Sequence, residues 1–374
     1  MKSQKHDGAP GTSVAELAPP LRLRWTLQRA SRVWGVGPNG EAIAYIGDRL
    51  AAISREGRTI WERRAQAWSP AVLTDGSILI SDRRGLALLD PRTGGEVWRT
   101  PCPHAVYLTI PERDLCVTVV ANVDKRWSRL GVASLPPAFS RRWETRVARD
   151  SSTQQVGVPL DFELASDGTR LFAMRRGDRK HEAEVLALSL DDGTELWRFP
   201  VHQVGWPAGL GKWRPAVNSR GHFLFRTDDW LACLDATTGR LLWKLEGGFG
   251  QLLVGQRVYL ANRDRLRILR AEDGHVLLDA KLGRSGSAGG RTTRLTGRPA
   301  VSTSHVFALD ETGSIRAFDR ETGAPSWSFH AALHHRLHRQ RATVHRSWAA
   351  LRGDVRRRSE TSWEPLLPRR RSIA

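Results

Sequence analysis

The chain has little from which to build a covalent or membrane-spanning framework. Cys102, Cys116 and Cys233 are three thiols in 374 residues, far apart and without a Cys-x-x-Cys pair. They cannot all pair, so a reducing compartment with small buried thiols is expected. No window approaches 18 uninterrupted apolar residues, which excludes a helical membrane span. Basic residues open the chain at Met1–Gly8 with no apolar stretch behind them. A secretory signal is therefore not expected in the sequence as it stands, although a misassigned start codon would hide one, and the expected location is the cytoplasm. Helical periodicity is almost absent before residue 330. Lysine is scarce, at 7 of 58 basic residues, and tyrosine numbers only 3.

What is present is arginine, tryptophan and turn residues. The net charge is +19, and 15 tryptophans stand against 10 phenylalanines. Such a field attracts polyanions nonspecifically but says nothing about fold. With 34 glycines and 19 prolines and hydrophobic residues at 40%, the composition is that of a globular, turn-rich chain.

A repeat organises the sequence. Leu86-Ala87-Leu88-Leu89-Asp90-Pro91-Arg92-Thr93-Gly94-Gly95-Glu96-Val97-Trp98 returns as Leu231 through Asp235, Thr238 and Gly239 to Trp243. It returns again as Ile315 through Asp319, Thr322 and Gly323 to Trp327. Variants pass Gly193 to Trp197 and Gly57 to Trp61, and a decayed copy passes Gly274 to Leu278. In all six the aromatic or its substitute follows glycine by four residues. Pro70, Pro215 and Pro299 each precede their tryptophan by 28 residues, a second and independent spacing. The unit ending at Trp143 has lost its glycine. With Trp25, in Leu21-Arg22-Leu23-Arg24-Trp25, the series is 25, 61, 98, 143, 197, 243, 278, 327.

Each unit reads as short strands with turn chemistry between them. Alternation in Ser77–Ile80 and Arg257–Leu260 predicts strands with one buried face. The carboxylates of Asp90, Asp235 and Asp319 are placed to accept backbone N–H groups ahead of them, and the following glycine permits φ > 0. Asp75-Gly76 and Asp167-Gly168 mark an earlier hairpin in their units. Four short strands per roughly 40 residues is the period of a β-propeller blade. A tryptophan fixed at one blade position would bury on the order of 150–250 Å² as packing between blades.

These residues resemble the pyrroloquinoline-quinone (PQQ)-like repeat propellers, whose outer strands carry a tryptophan-docking motif Leu-x-Ala-Leu-Asp-x-x-Thr-Gly-x-x-x-Trp. The resemblance spans residues 21–329. It implies an all-β propeller of four-stranded antiparallel blades around a central channel, each tryptophan wedged against the neighbouring blade. Trp25, Trp61, Trp98, Trp143, Trp197, Trp243 and Trp327 are then structural residues, as are Gly57, Gly94, Gly193, Gly239, Gly274 and Gly323 in the turns. Seven units are recognisable, and eight blades closed by both chain ends is the expected complete form. Residues 1–20 read as a disordered lead.

Activity is not implied, because family members include quinoprotein dehydrogenases, an outer-membrane assembly lipoprotein and propellers without known activity. The alcohol-oxidising members carry adjacent cysteines over the quinone, and this chain has no Cys-Cys pair and no assignable calcium set. No PQQ or other cofactor, no metal and no catalytic residue is therefore expected. The expected function is a non-catalytic propeller that binds another protein. A ligand-dependent oxidoreductase and a basic nucleic-acid-associated protein are the alternatives.

Other candidate motifs reduce to bland readings. Gly35–Gly40 matches a dinucleotide loop in letters, but the strand-like Glu41–Gly47 follows where a helix is needed. Gly283–Gly290 lacks the lysine end of a phosphate loop. His330, His334 and His338 would share a helical face fit for zinc, with no acid or cysteine beside them. Arg175–His181 reads as an exposed insertion, and Lys125-Arg126-Trp127 and Arg141-Arg142-Trp143 set cations beside aromatics as single-strand binders do. Residues 330–374 break the pattern: from 331 onward there are 11 arginines and 3 acids. A basic arm, a disordered tail and a shifted reading frame all fit that composition.

Overall fold

In the computed structural model the described residues run from 30 to 330, apart from 38, 65–69, 74, 83, 102–104, 123–126, 149–161, 176–182, 205–214, 228, 248–249, 263, 282–294 and 312–313. They form strands β1–β28 in seven four-stranded antiparallel sheets, each built from four consecutive strands in chain order. Among the described residues the helices are two single 3-10 turns, at Pro111–Arg113 and Val201–Gln203. The molecule is a seven-bladed β-propeller. Trp25 and the tail from 331, on which an eighth blade rested, lie outside the described residues.

The sheets occupy residues 30–64, 71–100, 105–148, 162–200, 216–246, 250–281 and 295–330. Innermost strands meet their neighbours around the channel, from β1 (Ala30–Val36) and β5 (Ala71–Val72) on to β21 (Gly250–Val254) and β25 (Leu295–Val301). Pro70 and Pro215 immediately precede the innermost strands of their sheets, and Pro299 falls at a register irregularity of β25. Proline tolerates such edge positions because it has no N–H to give to a ladder. The outermost strands are β4 (Thr59–Arg64), β8 (Glu96–Thr100), β12 (Arg141–Ala148), β16 (Glu195–Pro200), β20 (Leu241–Glu246), β24 (Val276–Lys281) and β28 (Pro325–His330).

The expected one-sided burial does not hold for the middle strands. Ile78, Leu79, Ile80 and Ser81 are all buried, as are Val258, Tyr259, Leu260 and Ala261. A blade packed between two others has its second and third strands covered on both faces, and they read as continuous apolar runs. One-sided patterning survives only on the outer strands, where Thr59, Ile60 and Glu62 are exposed around buried Trp61. Gly35–Gly40 falls at a hairpin between β1 and β2 (Ala42–Ile46), closed by Gly37 N–H to the Glu41 carbonyl at 2.7 Å.

Candidate functional site

The docking residues occupy one repeated geometry. The indole of Trp61 lies under Gly94 of the next sheet, and its Nε1 donates to the Pro91 carbonyl at 2.8 Å. Trp143 lies under Gly193 and donates to Leu190 at 2.8 Å. Trp197 lies under Gly239 and donates to Ala236 at 3.0 Å, and Trp243 lies under Gly274 and donates to Ala271 at 2.7 Å. Leu278 fills the same place under Gly323. A β-carbon on Gly239 would sit 2.7 Å from the Trp197 ring, so glycine is required there by contact as well as by its φ of 73°.

In the third sheet Phe139 stands four residues before Trp143, where the other units have glycine. It adopts φ 33°, and its ring packs on Trp98 at 5.8 Å between centroids. The unit that lost its glycine thus retains the contact by placing ring against ring.

The turns behind these glycines are held by carboxylates. Asp90 accepts from the backbone N–H groups of Arg92 and Thr93 at 2.9 and 2.8 Å. Asp235 accepts from Thr237 and Thr238, and Asp319 from Glu321 and Thr322. The Thr93 N–H and hydroxyl hold the Asp90 carboxyl below its ordinary range, and Thr322 does the same to Asp319. These acids are anchored in turns.

A further regularity went unread in the sequence. The residue after the docking position is often charged and pairs with the strand inside it: Glu62 with Arg49 at 2.6 Å, Glu144 with Arg129 at 2.7 Å, Arg198 with Glu184 at 3.1 Å, while Arg99 reaches one strand further to Asp82 at 2.9 Å. Asp279 holds both Arg265 and Arg267. Part of the arginine excess is therefore committed to surface pairs along the outer flank, each worth at most about 1 kcal/mol.

Of the expected basic patches, Arg141, Arg142 and Trp143 lie among the described residues. Trp143 is buried and bonded to Leu190, while Arg141 pairs with Glu144 at 2.8 Å. Residues 125–126, 176–182 and 283–290, Cys102 and the histidines after His330 lie outside the described residues. Cys116 and Cys233 are buried thiols, and burial pushes the Cys233 thiol up to about 12. Among the described residues no three His, Cys, Asp or Glu side chains gather as a metal set, and no helix is long and apolar enough to cross a membrane.

One open cavity of about 400 Å³ lies at the turn-bearing end between the fifth and sixth sheets, lined by Arg220, His222, Gln256, Arg270 and Glu272. Asn218 holds two of its segments together: Oδ1 accepts from the backbone of Arg220 and His222 at 3.1 and 2.9 Å, and Nδ2 donates to Gly255 of the next sheet at 2.6 Å. With its amide oxygen turned inward, Gln256 accepts from Arg220 Nε at 2.8 Å. Arg270 is shared with Asp273 at 3.0 Å. Burial lowers the His222 pKa, outweighing Glu272 and Asp235, so the ring is neutral near pH 7. The two guanidinium groups and the neutral imidazole can donate to a carboxylate or another anion, with Glu272 as the one acid in the lining. Sequence reasoning missed this site because its residues come from separate turns of two sheets, with no shared spacing.

Fold and docking pattern together define a repeat propeller whose blades are locked by an aromatic under a glycine turn. The family model described as outer membrane protein assembly factor BamB matches residues 47–169 and 181–250, and the chain belongs to that PQQ-like repeat family. BamB from Moraxella catarrhalis has a similar fold, with a TM-score of 0.53 at 15% identity over 80% of this chain and 87% of that one. The quinohemoprotein alcohol dehydrogenase ADHIIG from Pseudomonas putida HK5 gives a TM-score of 0.51 at 10% identity over 79% and 65%. At these identities the likeness is one of fold. The serine/threonine-protein kinase AfsK of Streptomyces coelicolor is 27% identical over 198 residues, 52% of this chain but only 22% of that protein.

Proposed function

We propose that the chain is a non-catalytic propeller that binds another protein through its turn-bearing end, with Arg220 and Arg270 taking up acidic side chains of the partner. The observation that carries the reading is the guanidinium-lined cavity between the fifth and sixth sheets. Two further facts support it. The carboxylates with shifted pKa values are shifted down, into turns or ion pairs, which suits anchoring and not proton donation. The family is also one described by an assembly factor.

The test uses an octaglutamate peptide as the probe, followed by fluorescence anisotropy on the full chain. Binding should weaken in Arg220→Ala with Arg270→Ala while the thermal unfolding curve stays in place. A parallel assay adds PQQ, calcium and an alcohol or sugar with an electron-accepting dye. Saturable quinone binding with turnover would overturn the non-catalytic reading.

A further inference from the structure

Asn218 is almost completely buried, at 4% exposure, and its side-chain amide has one workable orientation. Oδ1 accepts from the backbone N–H groups of Arg220 and His222, and Nδ2 donates to the Gly255 carbonyl of the sixth sheet. Turning the amide over would set Nδ2 against two donors and Oδ1 against a carbonyl. Nδ2 also lies 3.2 Å from the Nδ1 of His222. An amide nitrogen only donates, so Nδ1 has to accept. The neutral ring therefore carries its proton on Nε2.

Protonation of the ring collides with this arrangement. It would place an N–H on Nδ1, donor facing donor across 3.2 Å. Either the ring turns, or Asn218 gives up part of its bonding and with it the tie to Gly255. The charges around the ring do not remove the conflict. Burial is the largest influence and favours the neutral form; Glu272 and Asp235 draw a proton towards the ring and Arg220 repels one. His222 opens β18 (His222–Arg226), with Asp235 opposite it on the neighbouring strand. The Asp235 carboxylate is already engaged by the N–H groups of Thr237 and Thr238, and Arg270 adds a second cation to the cavity wall.

An acidic group entering the cavity changes the balance. Arg220, Arg270 and His222 line the same opening, and a carboxylate bound among them supplies a negative charge that favours the imidazolium. We propose that His222 is the proton-linked member of the cavity: locked neutral by Asn218 in the free chain, it takes up one proton from solvent when an acidic side chain of the partner binds. The partner is then held more tightly as pH falls. By reciprocity, the bound partner makes the ring easier to protonate. The inference rests on the cavity being the docking site for acidic side chains.

Fluorescence anisotropy of octaglutamate on the full chain tests this from about pH 8 to about pH 5.5, above the range in which glutamate titrates. Affinity should rise as pH falls, by at most about tenfold per pH unit, the limit for one proton. His222→Gln cannot take up that proton and should flatten the rise. Saturable binding with the same pH dependence in both chains overturns the proton linkage and leaves the docking site standing, whereas no binding at any pH overturns both. If His222→Gln does not fold, ring-nitrogen NMR of the histidine-labelled, unmutated chain decides. One ring should hold its proton on Nε2 near pH 7 and titrate below the ordinary value of about 6.5. Its titration should move to higher pH when octaglutamate is added. A proton on Nδ1 of that ring, or a titration that the peptide leaves in place, overturns the proposal.

Discussion

Trp243 Nε1 donates to the Ala271 carbonyl at 2.7 Å across the boundary between the fifth and sixth sheets. The same indole fills the space beneath Gly274. Packing and hydrogen bond are thus carried by one side chain, and substitution can separate them.

Trp243→Ala should destabilise by about 3–5 kcal/mol, the range for large-to-small aromatic changes. Trp243→Phe retains most of the packing and leaves the Ala271 carbonyl with only the weak Cys233 thiol donor at 3.6 Å, at about 1 kcal/mol. Urea midpoints of the two variants against the exposed control Arg92→Ala measure both parts. Coincidence of Trp243→Ala with the unmutated chain would contradict an interblade role.

Gly239 and Gly255 both have positive φ, 73° and 56°, but only Gly239 is pressed by a neighbour, the Trp197 ring. Gly255→Ala should cost about 1 kcal/mol from backbone conformation alone. Gly239→Ala should cost a further 1–3 kcal/mol or so from overpacking. Equal unfolding temperatures for the two variants would show that the ring does not set the requirement.

The depressed Asp90 and Asp319 carboxyls link turn stability to pH. For an acid whose folded pKa lies below its unfolded one, the stabilisation is complete above the unfolded value, about 3.9 for aspartate. It is lost as pH falls through the folded pKa. Asp90→Asn with Asp319→Asn should therefore be less stable than the unmutated chain at pH 7, and the gap should narrow in titrations below about pH 4. A gap that is constant from pH 7 to the acid transition would refute the linkage.

Cys233 is fully buried, with its thiol pushed up to about 12 by burial. Only the thiolate reacts with a disulfide reagent. At pH 8 this thiol should stay unmodified in the native chain and react at once in denaturant, which mass spectrometry of the labelled peptide resolves. Native labelling as fast as denatured labelling would place it at the surface.

The turn glycines and the docking positions were legible because a glycine of positive φ and the aromatic four residues after it belong to one local hairpin, whereas each docked contact joins that aromatic to the glycine of the next sheet. What lay between hairpins was not. Phe139 reads in the sequence as a lost glycine, and only the fold shows its ring meeting Trp98 from the preceding sheet. The double-sided burial of Ile78–Ser81 depends on neighbouring blades and not on local alternation. Arg220, Gln256 and Arg270 converge because two sheets stand side by side. Asn218, which ties those sheets through Gly255, has no periodic signal at all.

Because every sheet consists of four strands consecutive in the chain, the nearest partners of any residue lie within a few dozen positions. Short-range pairing of this kind lowers the entropy lost in closing loops before contacts form. Any blade can then serve as the point where folding starts, and its neighbours can join in sequence, as in linear repeat arrays. Lineages of such chains can lengthen or shorten by whole hairpin quartets, each new quartet needing only one aromatic for the turn ahead and one small residue for the aromatic behind.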